Sequence, residues 1–360
     1  MHTISINTLK IQPRKGVFHR TAFLQQYFRA AARVWLILAS VAWLLTACNQ
    51  APEPGTAAQQ PAAPEGPRVP VPEFSADSAY HFVGAQCAFG PRVPNTPAHA
   101  KCAEWLTASL KRFTPHVSVQ KGTTYAYDKT PLRFSNIIAG FNPEAAGRIL
   151  LCAHWDSRPF ADHDLDPANR RKPVMGANDG ASGVGVLLEV ARQLSLKPPP
   201  VGVDIILFDV EDYGPHQEEA TGNNEEHWGL GSQHWAKNPH KPGYTARYGI
   251  LLDMVGAANA TFLPEGFSMD YAADIVKLVW SAGNRAGFSS YFLYEQGGYI
   301  TDDHVPINRI RKIPTVDVIH LDRNTTSGFY PYWHTTGDTF DKIDRNTLKA
   351  VGQTVLTVIY

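Results

Sequence analysis

Cysteine is scarce in this chain. Four stand among 360 residues, and only Cys87, Cys102 and Cys152 lie beyond residue 50, an odd number that leaves at least one thiol unpaired. Cys87 and Cys102 are able to bridge in an oxidising compartment, whereas Cys152 sits in an apolar run and reads as a buried thiol. Net charge is missing too, since 33 basic residues balance 33 acidic ones. The balance is not even along the chain. Residues 1–47 hold six basic side chains (Lys10, Arg14, Lys15, Arg20, Arg29 and Arg33) and no acidic one, so the remainder has 27 basic against 33 acidic residues. No basic field is left to attract nucleic acid. The apolar run from Val34 to Leu45 has about a dozen residues, fewer than the roughly 20 that span a bilayer. Internal repeats are also absent. With 44% hydrophobic residues, the length provides ample core for one large or two modest domains.

A basic lead, the apolar run and Leu45-Thr46-Ala47 before Cys48 make residues 1–47 an export signal. Small residues just ahead of a cysteine resemble a bacterial lipobox. That resemblance implies cleavage before Cys48, a lipid on its new N-terminus and a periplasmic, membrane-anchored protein. Residues 48–72 are rich in Pro, Ala and Gln and read as a flexible tether. The body of the protein is then 73–360.

Within the body, RILLCAHWDS (Arg148 to Ser157), VDIILFDVEDYG (Val203 to Gly214) and YGILLDMVGA (Tyr248 to Ala257) are short apolar segments that turn polar at their C-terminal ends. Continuous apolar character predicts strands covered on both faces, hence a mixed, mostly parallel sheet flanked by helices. Further strands are expected at 117–127, 133–140 and 315–319, and helices at 75–89, 97–113 and 183–194. Strand and helix alternate, which defines one α/β domain. Open sheets of this type set their chemistry beyond the carboxyl ends of the strands. The side chains there are His154, Asp179, the adjacent Glu211 and Asp212, Asp253 and, in a loop near the end, His334.

An Asp at a helix start, such as Asp179, is ordinarily an N-cap. Its company suggests more. Adjacent carboxylates at a strand end are costly unless exposed, protonated or paired with a cation. A histidine and several carboxylates are ligands suited to zinc, with one acid of the Glu211-Asp212 pair on the metal and the other free to move protons. The loop from Tyr213 to Trp228 follows directly and forms a rim of the site. Asp162, His163, Asp164 and Asp166 look like a further cluster but read as solvated loop residues, as do the glycosylation-like triplets at Asn259 and Asn324.

Eight stretches taken together resemble the glutaminyl cyclases, a family built on the zinc-aminopeptidase fold. They are Gly90-Pro-Arg-Val-Pro94, His154-Trp-Asp-Ser157, Gly176-Ala-Asn-Asp-Gly-Ala-Ser182, Phe208-Asp-Val-Glu-Asp212, Gly231-Ser-Gln-His234, Leu252-Asp-Met-Val-Gly-Ala257, Asp302-Asp-His304 and Trp333-His334. The resemblance implies one zinc per chain on Asp179, Asp212 and His334, with Glu211 as proton shuttle. Asp253 and Asp303 would tune that shuttle, and Trp333, Phe329, His320, His154 and Trp228 would shape the substrate pocket. Two departures stand out. Many relatives have Glu-Glu where this chain has Glu211-Asp212, and Ala153 replaces a cysteine that forms a disulfide in animal enzymes.

The function so implied is cyclisation of an N-terminal glutamine of peptides or proteins to pyroglutamate with loss of ammonia, by a monomeric enzyme. The competing reading is a two-zinc aminopeptidase, in which His154 and Asp253 ligate a second metal bridged by Asp179. A third, a non-catalytic lipoprotein using the fold as a binding module, requires loss of a ligand or of the shuttle, and neither is lost.

Overall fold

The computed structural model describes residues 70–222 and 224–360. The expected signal segment, Cys48 and the tether up to residue 69 lie outside the described residues. Near the first described residues, Pro72 accepts a hydrogen bond from Gln353 and Phe74 is buried in the core.

Six strands, β1 (Val117–Tyr125), β2 (Pro131–Phe141), β3 (Arg148–His154), β4 (Gly202–Phe208), β5 (Tyr248–Asp253) and β6 (Thr315–Ile319), form one sheet in the order β1-β2-β4-β3-β5-β6. The run β4-β3-β5-β6 is parallel, and β2 pairs antiparallel with both β1 and β4. Helices α1 (Ala76–Cys87), α2 (Pro97–Lys111), α3 (Ala181–Leu196), α4 (Leu230–Lys237), α5 (Gly266–Arg285) and α6 (Arg345–Ile359) cover it. The predicted architecture is therefore the observed one.

Alternate strand residues explain the unbroken apolar runs. Ile149, Leu151 and Ala153 of β3 join the larger core under α1, α2, α3, α5 and α6, while Leu150 and Cys152 join a second core with Trp235 of α4 and Ile307. Because α3 follows β3 on one face and α4 follows β4 on the other, the chain diverges at the carboxyl ends of these neighbours and leaves a crevice. The three body cysteines are free thiols, and burial pushes Cys102 up to about 12.

Helix α3 is apolar nearly all round, which suits burial between the sheet and α1. Two glycines permit its close fit. A Cβ on Gly183 would lie 2.2 Å from the Leu252 carbonyl oxygen of β5, and one on Gly185 would lie 2.5 Å from Val83 of α1. Gly183→Ala must push helix from strand, so we expect a stability loss of about 1–3 kcal/mol in denaturant unfolding; an unchanged midpoint would show that the helix can shift freely.

Candidate active site

The crevice gathers the side chains that the strand ends supply. β3 stops at His154, β4 stops three residues before Glu211, β5 stops at Asp253, and Asp179 immediately precedes Gly180, the N-cap of α3. With glycine at the cap, the Asp179 carboxylate instead faces His154 and His334, contrary to the usual role of Asp at a helix start. His334 arrives from the loop ahead of α6. Three residues in these turns have left-handed backbones: Val210 (φ 52°), Met254 (φ 47°) and His334 itself (φ 52°). For non-glycine residues that region is sparsely populated, and for a β-branched valine it is an outlier.

Asp179, Asp212 and His334 converge, their ligand atoms all within 4.8 Å of one another. His334 Nε2 is 3.2 Å from Asp212 Oδ1 and 3.7 Å from Asp179 Oδ2. Tetrahedral zinc with bonds of about 2.0–2.2 Å sets its donors roughly 3.3–3.6 Å apart, so one imidazole and two carboxylates at this spacing fit the ion. Asp212 adds a second sign. Both of its oxygens are buried without a hydrogen-bond donor among the described residues. Among the described residues, its one cationic neighbour in contact is the Arg158 guanidinium at 3.5 Å.

A second group shares Asp179. His154 Nε2 lies 3.0 Å from Asp179 Oδ1 and 3.2 Å from Asp253 Oδ1, while its Nδ1 is 3.4 Å from Asp156. Burial draws this imidazole toward neutrality, but the three carboxylates outweigh it and hold its pKa well above the ordinary value. His334 behaves in the opposite way: burial and then Arg158 keep it well below. Burial raises Glu211 and Asp212 well above the usual carboxylate range, and Asp253 to about 7.

Behind the first group stand buried acids to which sequence reasoning assigned no role. The Asp156 carboxylate accepts from the backbone N–H of both Glu211 (3.1 Å) and Asp212 (3.2 Å), fixing that pair as a unit. Asp338 accepts from the N–H of Asn178 (2.9 Å) and Asp179 (3.1 Å). Asp162, 3.6 Å from His334 Nδ1, is gripped by Arg158 through Nε (2.8 Å) and Nη2 (2.6 Å). The solvated reading of the 162–166 loop is thus corrected for two members. Asp162 and Asp164 are buried, and hydrogen bonds from Thr336 and neighbouring groups outweigh burial to hold Asp164 near 2. The clue in sequence was position: Asp156 and Asp338 each follow a site histidine by a few residues.

A cavity of about 320 Å³ opens over this centre. Asp179, Glu211, Asp212, Asp253 and His334 lie on its floor, and Trp228, Phe329, Trp333, Ile319 and Met254 wall it. His334 is stacked against Trp333 with ring centres 3.8 Å apart, and Trp228 lies nearly parallel on it at 6.0 Å. Three expected positions differ. His154 and His320 are absent from the cavity wall: His154 is 1% exposed beneath it, and His320, 3% exposed, packs by Tyr330 with its ring pushed down to about 4 by burial. Of the aspartate pair, Asp302 lines the cavity, while Asp303 is turned inward at 0% exposure. A single-residue choice between adjacent aspartates is beyond what spacing resolves in a non-periodic loop.

A buried imidazole–carboxylate centre at the carboxyl ends of a mostly parallel sheet defines an α/β metalloenzyme of the zinc-exopeptidase type. The chain belongs to peptidase family M28, whose profile matches residues 136–359. A glutaminyl cyclase from Bacteroides thetaiotaomicron, crystallised with N-acetylhistamine, is 53% identical, with a TM-score of 0.79 over 81% of this chain and 99% of that one. A Zn-dependent exopeptidase from Parabacteroides distasonis is 55% identical at the same coverage and TM-score. Among curated proteins, the glutaminyl-peptide cyclotransferase of Bos taurus is 31% identical over 288 residues, covering 71% of this chain and 74% of its own length.

Groups that orient metal ligands from behind are typically worth about 10–100-fold in metal affinity. Asp338→Ala, which frees the backbone beside Asp179, is accordingly expected to weaken zinc retention by that order in chelator competition. Unaltered retention would mean that Asp179 needs no support.

Proposed function

We propose that this protein is a zinc-dependent glutaminyl-peptide cyclotransferase, converting an N-terminal glutamine to pyroglutamate with release of ammonia. The observation that carries the reading is the convergence of Asp179, Asp212 and His334 beside Glu211 on the floor of a small aromatic-walled cavity, in a chain 53% identical to a glutaminyl cyclase.

Asp179, Asp212 and His334 would hold the zinc, which when bound would supply Lewis-acid polarisation of the substrate's side-chain amide carbonyl. The remaining work falls to the protein. Trp333, Phe329 and Ile319 exclude water and hold the glutamine folded back, so that its α-amine reaches its own amide carbon without any protein nucleophile. A C–N bond forms to close the ring and the C–N bond to the amide nitrogen breaks. Glu211 takes the proton from the attacking amine and delivers it to the departing nitrogen, which leaves as ammonia. Burial, and after it the charges of Asp302 on the same cavity wall and of adjacent Asp212, raise the proton affinity of that carboxyl.

Hydrogen-bond accounting supports one zinc rather than two. Around His154, Nε2 faces one oxygen of Asp179 (3.0 Å) and one of Asp253 (3.2 Å) and Nδ1 faces Asp156 (3.4 Å), and none of these four residues has a buried polar side-chain atom without a hydrogen-bond partner. Asp212, by contrast, has two buried oxygens without donors. The aminopeptidase reading uses the same side chains but needs His154 free for a second metal.

Glu211→Gln is expected to abolish ammonia release from a glutaminyl peptide while metal analysis still finds one zinc per chain. Retained turnover removes Glu211 as the shuttle; two zinc ions per chain, with amino acid freed from an aminoacyl amide, favours the peptidase. We further propose that the enzyme is tethered outside the cytoplasm through lipidated Cys48, so Cys48→Ser should move activity from the membrane to the soluble fraction.

A further inference from the structure

We infer that a second cavity, walled off from the first by shared residues, receives the side chain that follows the substrate glutamine and favours a long cationic one, arginine or lysine. This rests on the cyclase reading and extends it from the cyclised residue to the peptide behind it. Ring closure consumes only the first residue, so the rest of the peptide must leave the catalytic cavity along some surface. A cavity of about 360 Å³ adjoins it. Trp228, Thr301 and Asp302 line both spaces and form the partition between them. An extended chain advances about 3.3–3.6 Å per residue, so a peptide that crosses this partition brings its second side chain into the adjoining cavity.

The lining grades from apolar to acidic. Val305 is 4% exposed and Pro306 follows it in the wall, whereas the Glu226 side chain is 81% exposed and stands at the mouth. Such a gradient suits a side chain with an apolar stem and a charged tip. Gln233 of α4 holds the acidic edge in place, its Nε2 donating to the carbonyl oxygens of both Glu226 (3.0 Å) and Trp228 (2.9 Å). The acid and the tryptophan of the partition are thereby fixed to the same helix.

Charge decides the sign of the guest. Arg309 is the one Lys or Arg in the lining, and it is engaged on three sides. Its Nη1 donates to Glu225 at 2.8 Å, its Nε to the Tyr271 hydroxyl at 3.3 Å, and its guanidinium lies over the Phe267 ring, 4.9 Å from the centroid. Little of it is left for an acidic guest. Among the described residues no Lys or Arg pairs with Glu226, whose charged-group neighbour is the His227 imidazole at 3.8 Å. In the partition Asp302 is 5% exposed, and its Oδ2 accepts from no described N–H or O–H donor. Three carboxyl groups therefore face one guanidinium that is already occupied, and an incoming cation supplies the missing charge.

The test is a series of Gln-X-Ala amides with arginine, norleucine or glutamate at X, assayed for ammonia with the zinc-loaded enzyme. kcat/KM is expected to fall in that order, with arginine ahead of glutamate about five- to twentyfold at low salt. The difference should reside in KM, because the second residue takes no part in bond making, and should narrow as salt is raised. Glu226→Lys is expected to reverse the order of the arginine and glutamate peptides while leaving turnover of glutaminamide, which has no second residue, unchanged. Equal kcat/KM for arginine and glutamate, norleucine matching arginine, or an order untouched by Glu226→Lys overturns the proposal. Should no peptide yield ammonia, the cyclase reading falls alone. The unreacted peptides then serve as ligands in calorimetric titration of the same enzyme, where tighter binding of the arginine peptide sustains the subsite and equal affinities overturn it.

Discussion

A single carboxylate held between two imidazoles governs this site. Asp179 turns one oxygen to His154 at 3.0 Å and the other toward His334 at 3.7 Å. Every other acid of the centre is placed relative to it, and Asp212 and Asp338 are both pushed toward protonation by its charge, after burial. Such concentrated negative charge in a dry crevice is unfavourable unless cations or protons offset it. The fold answers in two ways: His154 stands among three acids, and Arg158 reaches Asp162 and Asp212. A divalent ion on Asp179, Asp212 and His334, as proposed, would be the third answer, and the only one that brings chemistry with it.

Placement of these groups is bought with backbone strain. Left-handed Val210, Met254 and His334 each cost on the order of 1–3 kcal/mol. All three are nearly or fully buried, so packing sustains them. The strain turns the chain abruptly out of β4 and β5, and aims Glu211 and Asp253 at one cavity rather than along the strand direction. Asp212 has a shorter side chain than the glutamate found in many relatives. The backbone N–H groups of residues 211 and 212 are clamped on Asp156, and Asp212 still comes within 3.2 Å of His334.

Much of this was legible from residue order because burial on two faces writes itself as unbroken apolar runs. The segment 315–319 was expected as a strand and is β6, and the strands ending at His154 and Asp253 have the expected chemistry at their ends. What stayed hidden depends on tertiary contacts between distant segments. Asp156 and Asp338 act by accepting backbone N–H groups, contacts that span 55 and 159 positions for Glu211 and Asp179. Nearness to His154 and His334 marks the two aspartates as candidates, but local spacing does not say which distant backbone groups they accept from. The family resemblance puts His154 in the pocket, yet Asp179 and Asp253 close over it. The Asp302-Asp303 pair shows the same limit, since one residue of rotation decides which aspartate meets the cavity.

The proposed chemistry also accounts for the use of His154. A peptidase of this architecture must activate water between a metal and a carboxylate, and a second cation helps to bind it. Cyclisation needs no added nucleophile, because the attacking amine and the amide carbon belong to one substrate residue. The demands on the site shrink to one Lewis acid, one proton carrier and walls that keep the substrate bent. His154 can then remain among Asp156, Asp179 and Asp253 as an internal counter-ion, steadying Asp179 without ligating anything. In the same economy, Trp333 and Trp228 flank His334 and serve both as ligand support and as pocket wall. Apolar surface there costs a hydrolase its water but costs a cyclase nothing, which is why an aromatic-walled cavity of about 320 Å³ suits ring closure better than peptide-bond hydrolysis.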